Sequence, residues 1–145
     1  MKIKIKKLHE NSILPTRGSE YAAGYDLYAY IPEGEIAIPA HETVKIGTGV
    51  AIQPPEGNFG AIFARSGLAT KQGLRPANCV GVCDYDYTGE YIVAIHNDTD
   101  NEKIINNEER IAQVVFIPYS NVELEEVEEL DATDRGDGGF GSTGK

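Results

Sequence analysis

The chain has 145 residues, 41% of them hydrophobic, with 16 glycines, 7 prolines and a formal net charge of −10. That length fits one domain with an apolar core, which excludes both a second large folding unit and wholesale disorder. The acidic balance excludes duplex DNA or RNA, whose backbone needs clustered Lys and Arg, but a small polyphosphate can still be held by a local site.

At the N-terminus, alternating Lys2-Ile3-Lys4-Ile5-Lys6 predicts an opening strand with one apolar face, and its lysines suit a sheet edge. This beginning lacks the apolar stretch of a signal peptide, and no later run approaches the ~20 residues of a membrane span, so a cytoplasmic protein with no membrane partner is expected. In Ala23-Gly24-Tyr25-Asp26-Leu27, an acid sits between apolar neighbours just before a strand, either as a turn former or as a ligand for a magnesium-bound water. Residues 43–52 and 60–64 are rich in Ile, Val, Phe and Ala and predict strands, set apart by Pro54-Pro55-Glu56-Gly57. The second runs into Arg65-Ser66-Gly67-Leu68, where residues 66–72 predict the one short helix, with Ser66 as its cap and Gly73 as its stop. Free N–H groups at a helix start and the planar donors of Arg65 suit phosphate oxygens.

Residues 78–91 predict a hairpin with a polar tip. If that segment is extended, Asp84 and Asp86 face the same way, and one of two close carboxylates is a candidate general base. Tyr87 adds a flat ring for packing on a sugar or base. Strands are also expected over 91–96 and 111–117, the latter preceded by Arg110, read as a structural ion-pair partner, and carrying Gln113, a candidate phosphate donor. The acidic run from Glu123 to Asp131 reads as a solvated face or a tether to the tail. Residues 134–145 hold many glycines and a lone Phe140 and are expected to form a mobile arm. Gly139 to Lys145 matches much of a phosphate-binding loop, but without the Ser or Thr and the helix that such loops require, so a P-loop ATPase or GTPase is not expected. The two cysteines, Cys79 and Cys83, are too few for a disulfide scaffold and form no ligand-spaced cluster with the three histidines.

Five of these stretches, taken in order, resemble the trimeric dUTPase family over nearly the whole chain. They are Ala23 to Leu27, Arg65-Ser66-Gly67, Asn78 with Gly81 to Glu90, Arg110 to Gln113, and Arg135 to Ser142. The resemblance implies an all-β, jelly-roll-like barrel or sandwich with one short helix, a domain over 1–133 and a flexible arm over 134–145 that closes on the nucleotide. It also implies a homotrimer whose sites draw on several chains, hydrolysing dUTP to dUMP and pyrophosphate with Mg2+; this keeps uracil out of DNA and supplies dUMP for dTMP synthesis. In that reading Asp84 is the general base for the water that attacks the α-phosphorus. Tyr87 lies beneath the deoxyribose and leaves no room for a 2′-hydroxyl, while Asn78 and the backbone of Gly81, Val82 and Cys83 read the uracil edge. Arg65, Ser66, Gly67 and Gln113 bind phosphates, Asp26 contacts Mg2+ through water, and Arg135, Phe140, Gly141 and Ser142 cover the nucleotide. Cys83 and Tyr85 depart from the pattern, standing where a branched aliphatic and a small residue are expected. The tyrosine-bearing tip of residues 78–91 favours this family over dCTP deaminase, which resembles it in fold.

Overall fold

The structure, a computed structural model, describes residues 2–141 and Gly144. Its strands are β1 (Lys4–Lys7), β2 (Tyr25–Tyr28), β3 (Glu35–Ile38), β4 (Thr43–Gln53) and β5 (Asn58–Phe63), followed after the helix by β6 (Leu74–Pro76), β7 (Gly81–Cys83), β8 (Glu90–Asn97), β9 (Lys103–Asn106) and β10 (Arg110–Pro118). α1 (Ser66–Gln72) is the one helix among the described residues. Two four-stranded sheets, ordered β1-β4-β8-β6 and β2-β10-β5-β7, face each other, and the β3-β9 ribbon closes one end. The result is an all-β, jelly-roll-like sandwich.

Strand alternation builds the core. Along β8, Tyr91, Val93 and Ile95 point inward while Glu90, Ile92 and Ala94 lie toward the surface, the period of two that a half-buried strand requires. They meet Leu27, Ile62, Ala112 and Val114 from the opposite sheet and Ile38 and Ile105 from the ribbon in a single apolar cluster. The turn at residues 97–100 is built on Asn97, which is fully buried. Its amide donates to the carbonyls of Ile38 (2.9 Å) and Asn101 (2.8 Å), and its Oδ1 accepts from the Thr99 N–H (3.0 Å). Those bonds remove the penalty of burying a polar side chain. β1 lies at a sheet edge against β4, as its lysines suggest, although its residues are exposed throughout.

Two local expectations need correction. Ser66 does not cap α1: Arg65 is the N-cap with extended backbone (φ −88°, ψ 130°) and no side-chain bond, and Ser66 is the first helical residue. At the other end, Gly73 adopts φ 67° and stops the helix as expected. Residues 78–91 are not a hairpin. β7 pairs with β5 in one sheet, whereas β8 lies between β4 and β6 in the other. Gly81 draws β7 onto β5, since a Cβ there would come within 3.2 Å of Ile62. The chain then turns through Asp84 to Tyr87, the Tyr87 N–H donating to the Asp84 carbonyl at 3.1 Å, and crosses to the second sheet. Asp84 and Asp86 therefore lie in a turn and not along one face of an extended strand.

Candidate active site

The sheet topology gathers the first group of site residues. Gln113 on β10 stands beside Asp26 on β2 and beside Phe63 on β5, two residues before Arg65. The Asp26 carboxylate, largely shielded, accepts from Arg65 Nε at 3.0 Å and from Arg110 Nη1 at 3.3 Å. Arg65 Nη1 also donates to the Arg110 carbonyl at 3.3 Å. Arg110 is thus an ion-pair partner, as expected, and Arg65 is held in a fixed pose. Asp26 lies within β2 and not ahead of it. Gln113 is half-buried and donates from Nε2 to the Ala64 carbonyl at 3.0 Å. Gly24 permits this, because a Cβ there would collide with Gln113 Oε1. Beside this group, Ser66 and Gly67 are exposed at an uncapped helix start, and nothing lies within 4 Å of a Cβ built at Gly67. Two arginines, unpaired first-turn amides and an amide side chain make a surface suited to an anion.

The second group surrounds a cavity of about 250 Å³ lined by Asn78, Gly81, Val82, Cys83, Asp84 and Tyr87, with Ile62, Glu90, Tyr91 and Ile92 behind them. β7 is the outer strand of its sheet, so half of its N–H and C=O groups point away from β5 without strand partners. Such an edge can read a flat heterocycle through backbone alone, with the exposed Asn78 beside it. The Asp84 carboxylate is exposed at the lip. Tyr87, 44% exposed, is held by a bond from its hydroxyl to the Glu90 carbonyl at 2.7 Å. Its ring passes so close over Gly89 that a Cβ there would lie 2.7 Å from the Tyr87 hydroxyl. Glu90 is anchored in turn, its Oε1 accepting from the Gly49 N–H at 2.8 Å.

These two groups are not adjacent in one chain. Cys83 is opposite Gly60, so Asp84 lies at one end of the β5–β7 pair, while Arg65 follows the other end of β5. Five residues of strand put roughly 17 Å between those ends.

Sequence reasoning did not single out Tyr91. It is completely buried behind the cavity, and its hydroxyl has no hydrogen-bond partner among the described residues. That hydroxyl lies near the Cys83 thiol, and burial pushes both groups' pKa up from their ordinary values of 10.0 and 9.0. Above those values the unfolded chain ionises while the folded chain resists, so the unfolded state binds fewer protons and stability falls. From these two groups, melting temperature should hold between pH 7 and about pH 8 and decline toward pH 11. Tyr91→Phe should flatten part of that decline, which thermal melts across the range would test.

Among the described residues, the tail is tied by hydrogen bonds only to itself. Hydrogen bonds of residues 120–141 and Gly144 stay within the segment, among them Arg135 Nε to the Gly138 carbonyl at 2.8 Å. Phe140 is fully exposed. Arg135, Phe140 and Gly141 therefore join neither group, and Ser142 lies outside the described residues.

Among the described residues, no cluster of three or more His, Cys, Asp or Glu is placed to hold a metal ion. Asp26 is engaged by two arginines, yet each carboxylate oxygen keeps a lone pair. This donor set fits a magnesium ion carried by a ligand's phosphates and reached through water, and it does not fit a protein cage. No helix among the described residues is long and apolar enough to cross a membrane.

The dUTPase family model matches residues 10–144. The deoxyuridine 5′-triphosphate nucleotidohydrolase of Hydrogenobaculum sp. is 45% identical over 99% of both chains. That of Nautilia profundicola is 44% identical over the full length of each. Among solved structures, the dUTPase of Staphylococcus bacteriophage 80alpha with dUpNHpp is similar at a TM-score of 0.89, with 30% identity over 99% of both chains. A variant dUTPase from phage phi11 of S. aureus, described for its coordination of a structural Mg(II) ion, has a TM-score of 0.81 at 25% identity, over 91% of this chain and 100% of that one.

Proposed function

The chain belongs to the dUTPase family, and on that premise we propose how its residues divide the hydrolysis of dUTP to dUMP and pyrophosphate. The observation that carries the assignment is the cavity bounded by the free edge of β7, with Asn78 beside it, Asp84 at its lip and Tyr87 across it. Asn78 and the backbone of Gly81, Val82 and Cys83 bind the uracil edge. Tyr87 packs against the deoxyribose and leaves no space for a 2′-hydroxyl. Asp84 takes a proton from the water that attacks the α-phosphorus, and holding that water in line with the phosphorus supplies much of the acceleration. Arg65, Ser66, Gly67 and Gln113 hold phosphate oxygens, and Asp26 reaches the magnesium through water. When bound, Mg2+ neutralises phosphate charge as the transition state forms. Arg135, Phe140, Gly141 and Ser142 close from the arm over 134–145, Phe140 above the base.

We infer a homotrimer with sites shared between chains. The strand-scale separation of Asp84 from Arg65 supports it, since one nucleotide must meet both. So do the apolar side chains of the segment leading to the arm, Leu124 at 96% exposure and Leu130 at 88%, which are barely covered by the described residues of their own chain. The free thiols of Cys79 and Cys83 and the nucleotide substrate are consistent with the cytoplasm.

The direct experiment is pyrophosphate release from dUTP, dTTP, dCTP and UTP in the presence of Mg2+. Rapid release from dUTP alone is expected. Ammonia released from dCTP, or UTP turned over as fast as dUTP, would overturn the assignment.

A further inference from the structure

We propose that Tyr91 is a positioning residue for sugar discrimination: its buried ring is the backstop that sets how far Tyr87 stands into the nucleoside cavity. The inference rests on the reading of Tyr87 given above. Tyr87 is tethered at its hydroxyl, through the Glu90 carbonyl at 2.7 Å. A tether at the tip leaves the plane of the ring free to tilt. The Tyr91 ring lies behind it, with centroids 6.5 Å apart and planes 29° from parallel, in the range of offset aromatic contacts. Tyr91 itself is 0% exposed and cannot recede.

The surroundings of Tyr91 are matched to a ring. The phenol end meets Gly60, where a Cβ would lie 2.7 Å from the hydroxyl and 3.4 Å from the Cys83 Cβ. Cys83 faces the same spot, and it stands where the family resemblance leads one to expect a branched aliphatic. Two small residues opposite one large residue indicate an exchange of volume within a close-packed interior. The hydroxyl has no hydrogen-bond partner among the described residues. The exchange has a geometric consequence. It places a flat, rigid surface behind Tyr87 in place of a branched side chain, and a 2′-hydroxyl is excluded only while Tyr87 cannot yield.

The test compares kcat/KM for dUTP and UTP across Tyr91→Phe, Tyr91→Leu, the double change Tyr91→Leu with Cys83→Ile, and Tyr87→Ala. Tyr91→Phe keeps the ring and should hold the wild-type ratio within about twofold. Tyr91→Leu should narrow the ratio about tenfold, mostly through KM. Because Tyr91→Leu opens a cavity, the double change restores volume; it should recover melting temperature while the ratio stays narrowed. A folded double variant with the wild-type ratio would overturn the proposal, since Tyr91 would then be packing only. If Tyr87→Ala narrows the ratio and neither Leu variant does, the backstop fails and the reading of Tyr87 stands. If Tyr87→Ala leaves the ratio unchanged, both fall.

Discussion

Replacing Asp84 by Asn should lower dUTP turnover by on the order of a hundred- to ten-thousand-fold, the usual contribution of a general base, with little change in affinity for dUpNHpp. Two features of the site allow the change to isolate chemistry from shape. The Asp84 side chain is exposed and makes no hydrogen bond among the described residues, so no buried partner is orphaned. The feature that shapes the turn is the Asp84 carbonyl, which accepts from the Tyr87 N–H, and Asn keeps that carbonyl and is at home in turns. Tyr87 should therefore stay in place and the nucleoside should still bind. Steady-state kinetics paired with calorimetric binding of the analogue reads both quantities. Near-normal turnover would transfer the role to Asp86 or another group, and loss of binding along with turnover would mean that the carboxylate holds substrate as well as activating water.

The long strands were legible because apolar side chains recur along them; β4, β5, β8 and β10 fall within two residues of the expected 43–52, 60–64, 91–96 and 111–117. β3, β6, β7 and β9 have three or four residues each, too few for a period to stand out. The error over residues 78–91 has a different origin. Two apolar runs flanking a polar tip describe a hairpin and a crossover between sheets equally well, and the choice depends on a contact distant in sequence, Gly81 against Ile62. The same limit applies to the site. Asn78, Asp84, Tyr87 and the backbone of 81–83 were named from their motif, and they do line one cavity. Motif order says nothing, however, of the gap between Asp84 and Arg65, which follows from the antiparallel register of β5 and β7. Tyr91 escaped notice because a buried tyrosine in an alternating strand has the pattern of any core residue.

Removing residues 134–145 should reduce dUTP turnover by on the order of a hundredfold or more, comparable to losing a preorganised transition-state partner, and should move the melting temperature by no more than about 3 °C. Among the described residues, the segment's hydrogen bonds stay within it and its one large apolar side chain, Phe140, is fully exposed, so little buried surface leaves with it. Arg135 is bonded to the Gly138 carbonyl and the glycines around it adopt left-handed backbone, with φ 54° at Gly136 and 87° at Gly141. Such a backbone can fold around an anion with its N–H groups turned inward. Phe140→Ala should reproduce the part of the defect due to covering the base, and Arg135→Ala the part due to phosphate. A large fall in melting temperature would make the tail structural, and unchanged turnover would remove it from the site. Mixing the truncated chain with Asp84→Asn then asks whether base and tail come from the same chain. After unfolding and refolding together in equal amounts, a site that draws the two from different chains is complete in about one case in four. A site that draws both from one chain is never complete, since every chain lacks one or the other. Recovery near a quarter of wild-type turnover therefore supports shared sites, and no recovery from a refolded mixture rules out that division of labour.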